Sequence, residues 1–190
     1  MTKISISRVK TALSATEIER GLKKYISLRD RIRSVNLVSN KEEARQFQKN
    51  YKGFFRMRRN EDFCKVYFGF MEKHKNDKRL TFEAVLKHLH GNTERVEASF
   101  ASKLLSMINP DMPVLDSHVL KNLGINPVRQ YGDPKERIKR SIAAYEEICE
   151  WYESGAAKEW IKLFDAHYPE FKGRITDVKK IDLILWQMRD

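Results

Sequence analysis

The sequence predicts an all-α fold, a single compact domain of about eight to nine helices over residues 1–190. Apolar residues recur at three- and four-residue spacing along most of the chain. Helix-capping residues precede many of these stretches, and glycine or proline follows several of them. Alternation of apolar and polar residues is confined to residues 1–6. Apolar residues make up 41% of the chain and charged residues 33%, which is sufficient for a hydrophobic core.

The expected helices follow one another with short connections. They cover residues 14–34, 39–55, 60–70, 81–91, 93–108, 116–123, 133–155, 156–167 and 176–189. The first two begin with capping-box patterns, in which Ser14 pairs with Glu17 and Ser39 with Glu42. The strongest start is at Asp133, where proline and a glutamate complete the first turn.

The net charge of +11 lies entirely in the first third of the chain. Residues 1–60 contain 16 Lys and Arg against 5 Asp and Glu, whereas residues 61–190 contain 21 of each. The domain is therefore divided into basic N-terminal helices (1–60) and a neutral helical core (61–190). Positive charge concentrated in one region favours a polyanionic partner, such as a nucleic acid, or an anionic membrane surface.

The densest part of this basic region interleaves cations with flat apolar side chains. The cluster consists of Lys49, Lys52, Arg56, Arg58 and Arg59 with Tyr51, Phe54, Phe55 and Met57. Cations of this kind follow a phosphate backbone, and aromatic rings stack on bases. The alternative is a solvated helix end whose aromatic residues point into the core. Tyr67 has the same alternative, because it shares one helical stripe with Phe63 and Phe70.

The chain lacks the residues that several classes of protein require. Two cysteines, Cys64 and Cys149, exclude a disulfide framework and a four-cysteine metal site. We expect a cytoplasmic protein without a membrane span, because the longest apolar stretches are short. A glycine-rich phosphate loop and a His-Glu-x-x-His motif are both missing. We therefore expect no metal and no nucleotide cofactor. Cys64 lies among the apolar residues Phe63, Val66 and Tyr67, so we expect a buried, unreactive thiol.

The most informative segment is residues 99–124, in which an apolar helix ends at Pro110 and a tight turn leads to Asp116. Asp116 opens the next helix. One interpretation is structural, since an aspartate there caps the free amides of the first turn. The other is functional: a carboxylate held beside a cleft can stabilise positive charge on a sugar or orient an attacking water.

Residues 113–119 read P-V-L-D-S-H-V and resemble the segment around the catalytic aspartate of the helix-hairpin-helix (HhH-GPD) DNA glycosylase superfamily. That family typically has P-V-D-x-H-V, so Leu115 is one extra residue here. The preceding helix, with Lys103 beside the small Ala101 and Ser102, is similar to the second helix of the hairpin. The resemblance covers residues 98–123 as a motif and the rest as architecture. It implies a helix-hairpin-helix glycosylase-like fold with Asp116 as catalytic residue.

Three further departures from the family pattern refine this expectation. The glycine-rich hairpin turn that binds a phosphate is replaced by N-T-E-R-V-E at residues 92–97, with Gly91 the nearest glycine. Either the hairpin is degenerate, or the phosphate is bound by other residues, for which the candidates are Arg95, Ser102 and Lys103. The catalytic lysine of bifunctional family members would lie near Ala98, where this chain has no lysine. The resemblance therefore implies monofunctional hydrolysis. The cysteine count excludes the iron–sulfur cluster of some relatives.

The resemblance implies a monofunctional DNA glycosylase that acts on a damaged or modified base, including modified bases of phage DNA, and leaves an abasic site. We expect a monomer on double-stranded DNA, in base excision or antiviral defence. A flipped base would enter a pocket lined by Tyr51, Phe54, Phe55 or Tyr67. The DNA-binding candidates are Lys52, Arg56, Arg58, Arg59, Arg95, Ser102, Lys103 and His118. Two alternatives stay open: a non-catalytic helical DNA- or RNA-binding module, and a protein-interaction scaffold.

The sequence also predicts the surroundings of Asp182, of the three tryptophans and of Lys103. Asp182 lies inside an apolar run and needs a buried partner, such as an arginine or a helix terminus. Trp186 is expected in the core, together with Trp151 and Trp160. Lys103 has an alternative as an exposed, solubilising lysine.

Overall fold

The computed structural model describes residues 4–127 and 131–188, and within these ranges the chain forms ten α-helices, one 3-10 helix and no strand. The α-helices are α1 Ile6–Leu13, α2 Thr16–Ile32, α3 Glu42–Phe54, α4 Glu61–His74, α5 Phe82–Thr93, α6 Ala98–Ile108, α7 Ser117–Leu123, α8 Pro134–Tyr152, α9 Gly155–His167 and α10 Asp177–Gln187. The 3-10 turn Pro169–Phe171 precedes α10. The predicted all-α class is confirmed.

Two helices, α6 and α10, form the centre of the molecule. Nearly every residue of α6 is buried, and so are residues 179–185 of α10. A helix buried on all sides is a core helix rather than an amphipathic surface helix. Helix α10 packs against α1, α2, α7 and α9, while α6 packs against α4 and α5. The loop that joins α6 to α7 therefore runs between well-packed elements.

A buried aromatic cluster joins α3, α4 and α6. The hydroxyl groups of Tyr51 and Tyr67 are 2.7 Å apart, and Tyr67 donates a hydrogen bond to the carbonyl oxygen of Phe100 at 3.0 Å. Both tyrosine side chains are fully buried, and burial raises the pKa of each. The cluster holds the C-terminal end of α3 against the N-terminal part of α6.

Most of the predicted helix starts are confirmed by their capping hydrogen bonds. Asn60, Thr81, Asp133 and Thr176 each accept a hydrogen bond from a backbone amide in the first turn. Gly124 ends α7 as predicted, in the left-handed conformation with φ at 70°. These signals are local in sequence, so the unfolded chain already carries them.

The N-terminal boundaries differ from the prediction. A helix, α1, begins at Ile6, after the alternating segment at residues 1–6, of which 1–3 lie outside the described residues. The Ser14 hydroxyl donates to the carbonyl oxygen of Lys10 and ends α1, so Ala15 is the N-cap residue of α2. Helix α3 begins after Lys41, not Ser39. Ser14 thus belongs to the C-terminal end of the preceding helix and not to the N-cap of the following one.

The boundary between α5 and α6 also differs. Helix α5 continues past Gly91 to Thr93, and Glu94 ends it in a left-handed conformation with φ at 56°. Helix α6 begins only at Ala98. Near the C-terminus, α10 ends at Gln187, and residue 189 of the predicted helix lies outside the described residues.

Candidate functional site

A cavity of about 520 Å³ opens where the end of α3, the start of α6 and the start of α7 meet. Its volume is within the usual range of ligand pockets. The apolar part of its wall comes from Phe55, Val96, Ala98, Leu115, Leu120, Ile125, Pro127 and Trp186. The charged and polar part comes from Arg56, Glu97, Ser99, Lys103, Asp116, Ser117, His118 and Lys121. Cationic groups therefore outnumber the two carboxylates around an apolar lining.

Asp116 lies on this wall as the N-cap residue of α7. Its Oδ1 accepts hydrogen bonds from the backbone amides of His118 and Val119, both at 3.0 Å. Its Oδ2 accepts a hydrogen bond from Nε1 of Trp186, also at 3.0 Å. The residue is only 7% exposed, yet it borders the cavity. The predicted capping role is confirmed, and the same carboxylate forms part of the cavity wall.

The loop before Asp116 is held by side chains from three helices. Ser102 Oγ of α6 accepts a hydrogen bond from the amide of Leu115 at 2.9 Å. Tyr145 of α8 donates to the carbonyl oxygen of Pro113 at 3.1 Å. Asp182 of α10 accepts a hydrogen bond from the amide of Val114 at 3.2 Å. Because these contacts restrain three consecutive residues, the position of Asp116 is set by the core and not by the loop.

Asp182 is part of a buried ionic group. Its carboxylate accepts hydrogen bonds from Lys179 Nζ at 2.5 Å and from the hydroxyl of Tyr152 at 2.8 Å. Burial alone would lower the pKa of Lys179, but the adjacent Asp182 carboxylate raises it overall. The predicted buried partner of Asp182 is confirmed, although it is a lysine and not an arginine.

Lys103 projects from α6 to the same cavity as Asp116. It is 9% exposed, so the alternative of an exposed, solubilising lysine is wrong. Burial lowers the pKa of Lys103; the Asp116 carboxylate opposes this shift, and the guanidinium groups of Arg56 and Arg59 reinforce it. Its Nζ lies 5.3 Å from the centre of the Phe100 ring. A buried ammonium group and a buried carboxylate thus share one wall.

The predicted DNA-binding residues fall into separate groups. Arg56, Lys103 and His118 line the cavity. Arg58, Arg59 and Arg95 line an adjacent groove of about 430 Å³. Lys52, on α3, lines neither of them.

Glu97 connects the cavity to the adjacent groove. It lines the cavity, and its carboxylate pairs with Arg59, at 2.9 Å from Nη2, and with Arg95, at 3.0 Å from Nε.

Ser102 does not have the predicted phosphate-binding geometry. It is fully buried and its hydroxyl is used by Ser99 and Leu115. This small polar residue in the middle of a core helix holds the following loop through its hydrogen bonds to the backbone of Leu115.

The four predicted base-pocket aromatic residues also separate. Phe55 lines the main cavity, and Phe54 lines a smaller one of about 30 Å³ behind Asp116. Tyr51 and Tyr67 line neither cavity, and their hydroxyl groups bond to each other in the core. The core-packing alternative is therefore the observed role of these two tyrosines.

The sequence pattern predicts Trp186 in the core with Trp151 and Trp160 and gives no sign of its place at the cavity. The latter two are buried as predicted, whereas Trp186 is only partly buried and lines both cavities. Arg56, whose guanidinium lies 5.9 Å from the Trp186 ring, has a left-handed backbone with φ at 52°. No local sequence signal connects residues 116 and 186.

Other chemistries find little support in the described parts of the chain. Residues 4–127 and 131–188 contain no group of three or more His, Cys, Asp or Glu side chains that could hold a metal ion. Burial raises the pKa of the Cys64 thiol, and that of Cys149 to about 11, so neither is an activated nucleophile. Across the same residues, no helix has the length and apolar character needed to cross a membrane.

Comparisons with known proteins find no matching family model, no matching curated protein and no matching solved structure. The chemistry of the site therefore rests on the geometry given above.

Proposed function

We propose that the protein is a monofunctional DNA glycosylase of the helix-hairpin-helix type that hydrolyses the N-glycosidic bond of a flipped base. The observation that carries the proposal is the Asp116 carboxylate, restrained by three hydrogen bonds on the wall of a cationic cavity. A carboxylate at a fixed position beside a cavity suits a reaction in which positive charge develops on a sugar. The resemblance at residues 113–119 concerns this same aspartate.

Double-stranded DNA is the proposed partner because of the charges around the cavity. Arg56, Lys103 and His118 lie on its wall, and Arg58 and Arg95 lie in the adjacent groove. The arginine and lysine side chains among them neutralise phosphates on either side of the target nucleotide, so affinity falls steeply as salt is added. The target nucleotide leaves the stack and enters the cavity.

In the proposed reaction, the base departs from C1′ while Asp116 faces the sugar. The carboxylate stabilises the oxocarbenium-like transition state or orients the water that attacks C1′. Water supplies the hydroxyl group at C1′ and the proton that the departing base takes up, and an abasic site is left. The Lys103 ammonium group offers positive charge on the same wall to a phosphate or to the departing base.

The proposed substrates are damaged or modified bases, including the modified bases of phage DNA. The test is an incision assay on end-labelled duplexes that carry uracil, alkylated or oxidised purines, or hydroxymethylated or glucosylated cytosine. Hot alkali converts abasic sites into strand breaks. We expect breaks only after alkali, their loss in Asp116→Asn, and their persistence in Asp111→Asn, whose side chain is exposed in the same loop.

Two results would contradict the proposal in different ways. Breaks that form without alkali would show lyase activity and direct attention to the buried amine of Lys103. No breaks on any duplex would remove the enzymatic function altogether.

A non-catalytic DNA- or RNA-binding module is the second candidate, favoured by the groove of Arg58, Arg59 and Arg95, which does not include Asp116. Such a module binds with strong salt dependence and loses affinity in Arg58→Ala. Its affinity and its biological role are indifferent to Asp116→Asn, whereas a glycosylase loses base excision and keeps its affinity.

A further inference from the structure

We propose that Trp186 is a positioning residue for Asp116, an inference that rests on the proposed function. The hydrogen bond from Trp186 Nε1 to Asp116 Oδ2 is 3.0 Å long and joins residues 70 positions apart. It connects the end of α10 to the start of α7. Its role is to fix the plane of the carboxylate that faces the cavity.

The two oxygens of Asp116 are held differently. Oδ1 is bound by two backbone amides of α7, as in any aspartate N-cap. These two bonds anchor one oxygen and leave rotation of the carboxylate plane about that anchor. The indole N–H of Trp186 holds Oδ2 and supplies the second anchor. A capping role alone does not require this second contact.

The indole ring is itself held in place. Its ring centre lies 5.8 Å from that of Phe54, and the Arg56 guanidinium lies over it at 5.9 Å. The ring projects from the last turn of α10, whose residues 179–185 are buried. A side chain that is held by neighbours and projects from a core helix restrains the group that it binds.

The position of Trp186 is difficult to explain by packing alone. The ring is only partly buried and borders both the main cavity and the smaller one behind Asp116. A tryptophan with its N–H directed at a buried carboxylate and its ring on a ligand cavity is placed for a function at that cavity. A purely structural role would need only the tie between α10 and α7.

Trp186→Phe separates these two roles, because it keeps an aromatic ring and removes the N–H donor. We expect the single-turnover excision rate at saturating enzyme to fall by about 10- to 100-fold, the effect of a small misplacement of a catalytic group. The Kd for duplex DNA should stay within about twofold, because the indole N–H carries no charge to a phosphate. Trp151→Phe, which removes an indole from a buried site against Trp160, is the matched control and should retain the rate.

NMR spectroscopy tests the hydrogen bond between Trp186 and Asp116 independently of enzymatic activity. The chain has three tryptophans, so its proton–nitrogen correlation spectrum contains three indole N–H signals. The signal missing in Trp186→Phe should be the one that shifts in Asp116→Asn. If that signal is unmoved in Asp116→Asn, the hydrogen bond does not exist in solution and the inference is overturned.

The failure of this inference differs from a failure of the proposed function. If Asp116→Asn abolishes excision and Trp186→Phe excises at the wild-type rate with only a lower Tm, Trp186 is a structural tie and the positioning role is wrong. If the wild-type protein excises no base, or Asp116→Asn still does, the proposed function is wrong, whatever Trp186 does.

Discussion

The carboxylate of Asp182 accepts a hydrogen bond from the backbone amide of Val114, 3.2 Å away and two residues before Asp116. The same carboxylate neutralises Lys179 in the core. A buried ion pair thus restrains the loop that carries the proposed catalytic residue.

Replacing Asp182 by alanine should destabilise the fold strongly. The change leaves the Lys179 ammonium and the Val114 amide buried without their partner, and breaking a buried pair in this way costs about 3–5 kcal/mol. Equilibrium unfolding in urea measures the difference. Tyr152→Phe removes one hydrogen bond from the same carboxylate and keeps the ion pair, so it should cost only about 1 kcal/mol. Equal effects of the two variants would show that the ion pair does not govern stability here.

Replacing Lys103 by methionine should stabilise the fold and weaken DNA binding. Burial lowers the pKa of Lys103 in the folded state, so the charged form is penalised by folding. This penalty is complete below the lowered pKa and is removed as the pH rises from that pKa to the ordinary value of 10.5. Unfolding at pH 7 and pH 10 should therefore show an advantage of Lys103→Met that shrinks with rising pH. Lys49→Met, at an exposed position, should show no such trend.

The local part of the site could be predicted from the sequence, and the long-range part could not. Asp116 as an N-cap residue and Gly124 as the helix end depend on neighbours in the chain, and both predictions are confirmed. Trp186 contacts Asp116 across 70 positions, and Asp182 contacts Val114 across 68. Such pairs follow from the packing of α10 against α7, which periodicity within one helix does not determine.

The aromatic residues illustrate the same limit. Helical periodicity gives Phe54, Phe55 and Tyr51 similar surroundings, but Tyr51 is fully buried while Phe54 and Phe55 border cavities. The difference arises because α3 ends at Phe54 and the chain turns through the left-handed residue Arg56. This turn directs the basic cluster toward the start of α6. Residue 56 is an arginine and not the glycine that usually marks a left-handed position, so the sequence does not predict the turn.

His88 should make the fold less stable at acidic pH. Its ring stacks on Phe70 with ring centres 4.0 Å apart, and burial, followed by the nearby His74 and Lys73, lowers its pKa in the folded state. The unfolded chain then binds a proton more readily. The contribution of His88 is therefore complete above the ordinary pKa of 6.5 and is lost as the pH falls through it toward the lowered value.

Thermal unfolding of wild type and His88→Gln between pH 7.5 and pH 5 measures this contribution. We expect the Tm of the wild type to fall more steeply than that of the variant. Parallel curves for the two proteins would exclude His88 as a source of the pH dependence.

Replacing Arg58 by alanine should weaken DNA binding without destabilising the fold. Arg58 is exposed in the groove beside the cavity, whereas the neighbouring Arg59 is tied to Glu97 by two hydrogen bonds of 3.1 and 2.9 Å. Loss of one phosphate contact reduces the slope of log K against log salt by about one and affects all sequences equally. Fluorescence anisotropy on two unrelated duplexes over a salt series measures the slope. Lys158→Ala, exposed on α9 in the neutral part of the chain, should leave the slope unchanged, and an equal loss in both variants would mean that the groove does not contact DNA.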